Sequence, residues 1–491
     1  MNSEMVNGII KYNLFVSFIL LTLSNIDTVR STYELMLVYS INSAIVFALL
    51  IFQEVKYFSG LSLNLPLLIG YCFRLVIPAL RHSFEAIEGE QIYFLVDANV
   101  VNDYMFPTCI WMNIYYMIFY WCIVRYTKNL SIEDSIRPFF QRFKVYRFSI
   151  VLFILGLCYN ILISFVPVGV VPGFINSIFG KLALLAIVAQ MFDALFNPTP
   201  FRKKLFLLFI ISSIIQSTFY GFYKGPIVMN MIYYVLYYFL DCKYNNKRIV
   251  SLKFIFTCLF IVLSIDLIIY PFMTTKRIVS GWDVTYGAIA TNQYSNWDIL
   301  VDVINGKSLS ERGENTASSR FDAIPANAFF YKECQTRGLR TAEIMINNLE
   351  LLVPRFINPN KHNSEAGLMV YAYATTGSFA NKDTAISNNY IGQFASAYLI
   401  GGWICALLLA FVNGWFTIFY YNFLVRHDYN IFSILFLIPL LLNAIYAFEE
   451  VHDGGALSIG YNIVMMFVIY FSSRFLPFLN FKKNDNIFSP Q

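Results

Sequence analysis

Runs of about 20 consecutive apolar residues recur along this 491-residue chain, and they constrain its fold more than any other feature. A helix of that length crosses the hydrocarbon core of a bilayer. Because lipid offers the backbone no hydrogen bonds, membrane spans are helices or strands of closed barrels. We therefore predict an all-α polytopic membrane bundle of about twelve transmembrane helices. The predicted spans lie near 10–26, 35–52, 61–80, 105–124, 148–166, 174–196, 205–221, 226–241, 254–272, 391–421, 431–448 and 456–472.

The composition supports a membrane protein, because 58% of the residues are hydrophobic and only 13% are charged. Soluble domains carry about 25% charged residues. No small-residue cleavage site follows the first apolar run, so we predict a retained helix there and not a signal peptide.

The distribution of lysine and arginine predicts the orientation of the spans, because basic residues collect in cytoplasmic loops. Alternate connections are basic, whereas those around 85–103 and 449–453 are acidic. The basic segments are 125–147, 202–204, 243–253, Arg426 and the tail from Arg474 to Lys483. Both termini are therefore predicted to be cytoplasmic, and the largest polar insert is predicted to face outward. This loop bias explains the net charge of +5 without a nucleic-acid partner.

The polar insert divides the chain into four predicted regions. These are a bundle of nine helices at 1–272, the extracytoplasmic loop at 273–390, three helices at 391–472 and a cytoplasmic tail at 473–491. A structureless loop of that length is uncommon, so the insert is expected to contain short helices. One is predicted between Thr341 and Pro354, and Phe329, Phe330 and Tyr331 predict a second buried or interfacial segment.

The cysteines and histidines favour neither a disulfide framework nor a metal centre. Cys334 is the one cysteine of the insert, and the other cysteines lie in or beside apolar runs. The histidines are scattered, at His82, His362, His427 and His452. No ligand spacing typical of zinc sites appears, and we predict no metal and no cofactor.

Ionisable residues inside apolar runs are candidates for function, because a charge in lipid costs several kcal/mol. They are Arg74, Lys181, Asp193, Lys224 and Asp266. Lys224 stands out because Gly221 and Gly225 flank it at an outward-facing junction, where backbone amides can approach an anion. The alternative is a lysine that reaches the headgroups. Asp193 and Asp266 lie near helix ends, which favours a structural role.

The insert carries cations suited to phosphate or diphosphate oxygens, namely Arg277, Arg320, Arg355 and Lys361. Arg320 and Arg355 lie in short motifs with apolar flanks, whereas a solvated basic surface is the alternative for each. His362 is a candidate general base near neutral pH, and Asp322 is the alternative base or a partner that orients Arg320.

Four segments, in this order, carry a family resemblance. They are Tyr223-Lys224-Gly225-Pro226, Leu352-Val353-Pro354-Arg355-Phe356-Ile357-Asn358-Pro359-Asn360-Lys361, Asn389-Tyr390-Ile391-Gly392-Gln393-Phe394 and Tyr398-Leu399-Ile400-Gly401-Gly402-Trp403. With the many spans and one large outward loop, the chain resembles the O-antigen and capsular polysaccharide polymerases over residues 215–420. The resemblance implies a GT-C-like glycosyltransferase fold. The family often has arginine where this chain has Lys224, which keeps the charge but loses the bidentate fork.

The resemblance implies a glycosyltransferase of the bacterial inner membrane that joins oligosaccharide repeat units carried on undecaprenyl diphosphate. Its partners would be that lipid-linked oligosaccharide, membrane lipid and a chain-length regulator protein. Cations can stabilise the diphosphate leaving group in place of a metal. The residues assigned to the diphosphates are Lys224, Arg320, Arg355, Arg277 and Lys361, and these cations are expected to face outward. His362 or Asp322 would deprotonate or orient the acceptor hydroxyl.

Three other functions remain open from the sequence. An O-antigen ligase performs the same chemistry on another acceptor, and His362-Asn363 is compatible with the essential histidine of that relative. A flippase or exporter of lipid-linked sugars would instead use Arg74 and Lys181 along a central path. A structural or sensory membrane protein would have no turnover.

Overall fold

The fold is described from a computed structural model, and every secondary-structure element in its described residues is a helix. The described residues are 3–24, 33–56, 63–84, 98–126, 137, 140–141, 144–163, 179–180, 182–219, 225–245, 272, 300–301, 324–338, 393–427, 430, 432–433, 436–437, 440 and 456–475. The all-α class is therefore confirmed for this part of the chain.

Two compact units make up the chain, one formed by 1–131 with 318–491 and the other by 132–317. Within the described residues, the helices of unit 1 with defined bounds are α1 Ser3–Ser24, α2 Tyr33–Lys56, α3 Asn64–Tyr71, α4 Ile77–His82, α5 Ala98–Tyr126, α10 Ile324–Arg337, α11 Gln393–Arg426 and α12 Ala456–Phe475. Those of unit 2 are α6 Val145–Ile163, α7 Leu182–Phe196, α8 Pro200–Phe219 and α9 Gly225–Tyr244. A π-helical turn, Cys72–Val76, joins α3 to α4.

Six helical segments in the described residues are long and apolar enough to cross a membrane. They are Glu4–Leu23, Glu34–Glu54, Asn64–His82, Asp103–Tyr126, Val145–Ile163 and Ala397–Arg426. Two shorter apolar helices are Leu182–Phe196 and Met465–Phe475. These segments agree with a membrane bundle, and the total of about twelve spans stays a prediction.

Helix α5 lies at the centre of unit 1 and packs against α1, α10 and α11. The Trp111 and Trp403 rings stack at 5.9 Å, and Asn422 Nδ2 donates to the Tyr126 carbonyl at 3.0 Å. Helices α5 and α11 are therefore parallel, and Arg125 and Arg426 lie near their matching ends. The predicted topology requires α5 and α11 to be parallel, since both helices should run from the outer face to the cytoplasmic face.

Helices α3 and α5 also run in the opposite directions that the predicted topology requires. Tyr116 donates to the Leu67 carbonyl at 2.6 Å, and Tyr71 donates to Asn113 Oδ1 at 2.6 Å, so α3 is antiparallel to α5. Tyr39, near the start of α2, donates to the carbonyl of Cys109 at 3.0 Å.

Helix α11 is interrupted within one of the predicted spans. Gly401 and Gly402 have non-helical backbone angles, and the φ of +68° at Gly402 is one that glycine adopts without steric cost. The span predicted near 391–421 therefore corresponds to the candidate span Ala397–Arg426, with a kink at this point. Trp403, the next residue, stacks on Trp111 and holds the second segment against α5.

Unit 2 is an antiparallel arrangement in which buried polar groups fix the pairing of neighbouring helices. Ser149 of α6 donates to Gln190 Oε1 of α7 at 2.7 Å, and Gln190 Nε2 donates to the Arg202 carbonyl at 3.2 Å. Asn230 of α9 donates to the Ser213 hydroxyl of α8 at 2.8 Å. Helices α8 and α9 thus form a hairpin whose connection contains Lys224.

Candidate functional site

The residues that the sequence proposes for catalysis and diphosphate binding all lie outside the described residues. They are Lys224, Arg277, Arg320, Asp322, Arg355, Lys361 and His362. Two described helices begin close to them in sequence: α9 at Gly225, directly after Lys224, and α10 at Ile324, two residues after Asp322. The predicted helix between Thr341 and Pro354 also lies outside the described residues.

Helix α10 belongs to the polar insert and is firmly joined to the membrane helices of unit 1. It packs against α5 and α11, and Ile324, Ala328 and Phe330 are buried. The prediction of a buried or interfacial segment at this point is therefore confirmed for Phe330, which is buried, and Tyr331, which is half-buried. One face of α10 is covered by α5 and α11. This part of the insert therefore packs as part of the helix bundle.

An amide contact fixes the start of α11 against α10. The first backbone N–H groups of a helix have no partner within it. The N–H of Ala395, in the first turn of α11, donates to Asn327 Oδ1 at 3.1 Å, and Asn327 is fully buried. The insert thus supplies the cap of the helix that follows it in the chain.

Four rings from three helices form a cluster that we call the aromatic junction: Tyr104 of α5, Tyr331 of α10, and Phe394 and Tyr398 of α11. The centroids of Tyr104 and Tyr331 are 6.1 Å apart, and those of Tyr331 and Tyr398 are 4.9 Å apart. Phe394 lies 5.9 Å from Tyr398. The cluster therefore runs continuously from the first turns of α5, across the insert helix, to the first turns of α11.

The aromatic junction has a buried base and a partly accessible edge. Phe394 and Tyr398 are buried, whereas Tyr104 and Tyr331 are half-buried. Gln335, one turn after Tyr331 on α10, is exposed and donates from Nε2 to the Tyr398 hydroxyl at 3.1 Å. A ring face beside a carboxamide and phenol groups suits a ligand that has both C–H surfaces and hydroxyls.

Three of the four junction residues lie in segments that the sequence singles out. Tyr331 belongs to the predicted buried or interfacial segment, and Phe394 and Tyr398 belong to segments that carry the family resemblance. Tyr104, and Gln335 beside the cluster, were not predicted. Gln335 follows Tyr331 by four residues, so both lie on one face of α10. That spacing was the available signal, although only the fold shows that α5 lies beside this face.

Two of the ionisable residues predicted within apolar runs are described. Arg74 is buried in the π-helical turn between α3 and α4. Asp193 is fully buried in α7, where its Oδ2 lies 3.2 Å from Arg202 Nε and its Oδ1 accepts from Asn197 at 3.0 Å. These contacts join α7 to α8, which supports the structural role inferred for Asp193. Lys181 and Asp266 lie outside the described residues.

The described residues contain no group of three or more histidine, cysteine, aspartate or glutamate side chains able to hold a metal ion. No family model, curated protein or solved structure matches the chain.

Proposed function

We propose that this chain polymerises oligosaccharide repeat units carried on undecaprenyl diphosphate, at the outer face of a bacterial inner membrane. The observation that carries the proposal is the aromatic junction, which joins the insert helix α10 to α5 and α11. The sequence resemblance names the substrate class, and the junction offers ring faces and hydrogen-bonding groups suited to sugars. Its insert helix follows Arg320 and Asp322 closely in the chain.

The proposed reaction transfers a growing chain to the next repeat unit. The acceptor hydroxyl attacks the anomeric carbon of the donor, a glycosidic bond forms, and the bond from that carbon to the diphosphate oxygen breaks. His362 or Asp322 takes the hydroxyl proton. Undecaprenyl diphosphate leaves with the bonding electrons.

The cations have two roles in this proposal. Lys224, Arg320 and Arg355 stabilise the negative charge that develops on the leaving diphosphate, an effect that grows in a site from which water is excluded. Arg277 and Lys361 hold the diphosphates of the two substrates. Three of the cations therefore act on the leaving diphosphate, where negative charge develops during the reaction.

In this proposal the aromatic junction orients a sugar ring of the substrate. Tyr104 and Tyr331 would stack on the apolar face of the ring, while Gln335 and the Tyr398 hydroxyl would bond its hydroxyls. Correct orientation of two reactants lowers the barrier strongly, since it removes an entropic cost that the free reactants would pay.

A deletion strain that expresses variants of this chain tests the proposal. On a gel of surface polysaccharide, deletion should leave an acceptor capped with a single repeat unit. Arg355→Ala should lower long-chain yield about a hundredfold, because losing one stabilising donor costs about 10² to 10³ in rate. Tyr331→Ala should lower it roughly tenfold through lost stacking.

The matched control is Tyr12→Ala, which removes an exposed tyrosine from α1 and should leave the chain-length pattern unchanged. If the Arg355→Ala variant still produces full-length polysaccharide, Arg355 is not part of the proposed site. Deletion that abolishes only the attachment of long chains would indicate a ligase, and deletion that removes all surface sugar would indicate a flippase.

A further inference from the structure

One end of unit 2 concentrates basic side chains from three of its described helices, α6, α8 and α9, and from Lys144, which directly precedes α6. This basic end comprises Lys144, Arg147, Arg202, Lys203, Lys204 and Lys243. The contact between Tyr146 and Phe201, whose centroids are 6.2 Å apart, brings the starts of α6 and α8 together. The Lys203 Nζ to Asp241 Oδ1 distance of 3.1 Å brings the end of α9 to the same place.

The acidic residues described at this end are each engaged by one of these cations. Asp193 is paired with Arg202 and Asp241 with Lys203. Lys144, Arg147 and Lys204 are exposed, and no described acidic residue neutralises them. The basic end therefore presents an excess of positive charge, centred on the first turns of α6 and α8.

Large apolar side chains lie in the same turns as the exposed cations. Phe148 follows Arg147 and is 63% exposed, and Phe201, in the first turn of α8, is 58% exposed. Further along α6, Val151, Ile154 and Leu155 are also exposed. A cationic edge thus borders an apolar helix surface, as in a membrane protein whose side chains reach both headgroups and acyl chains.

The ring of Tyr146 holds two of these cations, Arg147 and Arg202, in place. The guanidinium carbon of Arg147 lies 5.8 Å from this ring and that of Arg202 lies 5.3 Å from it. Arg147 Nε also donates to the Tyr146 hydroxyl at 3.1 Å. Because Arg147 is held before a ligand arrives, this side chain loses little conformational entropy on binding.

We propose that the basic end of unit 2 is a binding site for anionic phospholipid headgroups. Lys144, Arg147 and Lys204 contact the lipid phosphate, and Phe148 and Phe201 pack against the upper part of the acyl chains. The exposed aromatic residues favour a lipid over a soluble anion, because a phospholipid can contact the cations and the aromatic side chains together, whereas a free phosphate contacts only the cations. This inference does not rest on the proposed glycosyl transfer.

The experiment measures binding of short-chain phosphatidylglycerol to the purified full-length chain in neutral detergent. Phosphatidylcholine and inorganic phosphate, at matched ionic strength, serve as the comparison ligands. Phosphatidylglycerol should bind, raise the melting temperature and lose affinity with added salt. The triple variant Lys144→Gln, Arg147→Gln, Lys204→Gln should bind it about a hundredfold more weakly, given the usual contribution of each basic residue near an anionic membrane surface.

The control variant Lys56→Gln, Arg125→Gln, Arg474→Gln removes the same charge from exposed positions of unit 1 and should retain nearly all of the affinity. Lys204→Gln alone should weaken binding about fivefold. Because it changes one exposed side chain, it tests the proposal even if the triple variant misfolds. An equal loss in the control variant would overturn the proposal. So would equal binding of phosphatidylcholine, or an equal stabilisation by inorganic phosphate.

Discussion

Gly156→Leu is expected to prevent unit 2 from folding. A Cβ at Gly156 would overlap the backbone nitrogen of Ala183 and lie 2.9 Å from its Cα, where α6 crosses α7. Neither backbone can yield without separating the helices, because Ser149 and Gln190 also join them at 2.7 Å. Even Gly156→Ala should cost at least about 1–3 kcal/mol, the usual range for overpacking.

The measurement is the monodisperse fraction of detergent-solubilised protein, followed by its melting temperature. Gly8 provides a matched control, since a Cβ there meets nothing within 4 Å. Gly8→Ala should be neutral or slightly stabilising, because alanine favours a helix interior over glycine. If Gly156→Leu is as stable as Gly8→Leu, the described crossing of α6 and α7 is wrong.

Asn113→Leu should strongly destabilise unit 1. Asn113 is fully buried in α5, and its amide donates to Asn13 Oδ1 at 2.6 Å and to Ser17 Oγ at 2.8 Å. It also accepts from the Tyr71 hydroxyl at 2.6 Å. One side chain therefore links α1, α3 and α5.

Each such bond between membrane helices contributes about 0.6 kcal/mol on average and up to about 1.7, so Asn113→Leu should cost roughly 2–3 kcal/mol. Unfolding in mixed detergent measures this loss in the free energy of unfolding. The control is Met117→Leu, which changes another fully buried side chain of α5. In a double-mutant cycle, Tyr71→Phe should cost little further once Asn113 is gone. Additive losses would show that the two side chains act independently.

The fold class followed from the sequence because a bilayer permits few solutions for a long apolar run. The partners of each helix did not follow. Asn113 is one polar residue in an apolar run, and nothing local indicates that its partners come from α1 and α3. The fit of Gly156 against Ala183 is equally non-local. Apolar runs predict that helices exist, whereas small and polar side chains decide which helices pack together.

The candidate site was predictable to a smaller extent. The sequence indicated that the insert contains ordered segments, and α10 confirms one of them. The capping of α11 by Asn327 and the ring contacts of Tyr104 with Tyr331 depend on three segments far apart in the chain. No sequence periodicity or motif connects these three segments. The cations that the resemblance assigns to diphosphate binding stay predictions, which mutation can test one at a time.

Reconstituted polymerisation tests the central claim most directly. The purified chain in liposomes would receive one undecaprenyl-diphosphate-linked repeat unit as both donor and acceptor, without metal or nucleotide. We predict a ladder of lipid-linked products that differ by one repeat unit, with one undecaprenyl diphosphate released for each bond formed. Products should be lost with Arg355→Ala and retained with Tyr12→Ala. Transfer only to an added lipid A core acceptor, or no transfer by a folded chain, would contradict the account.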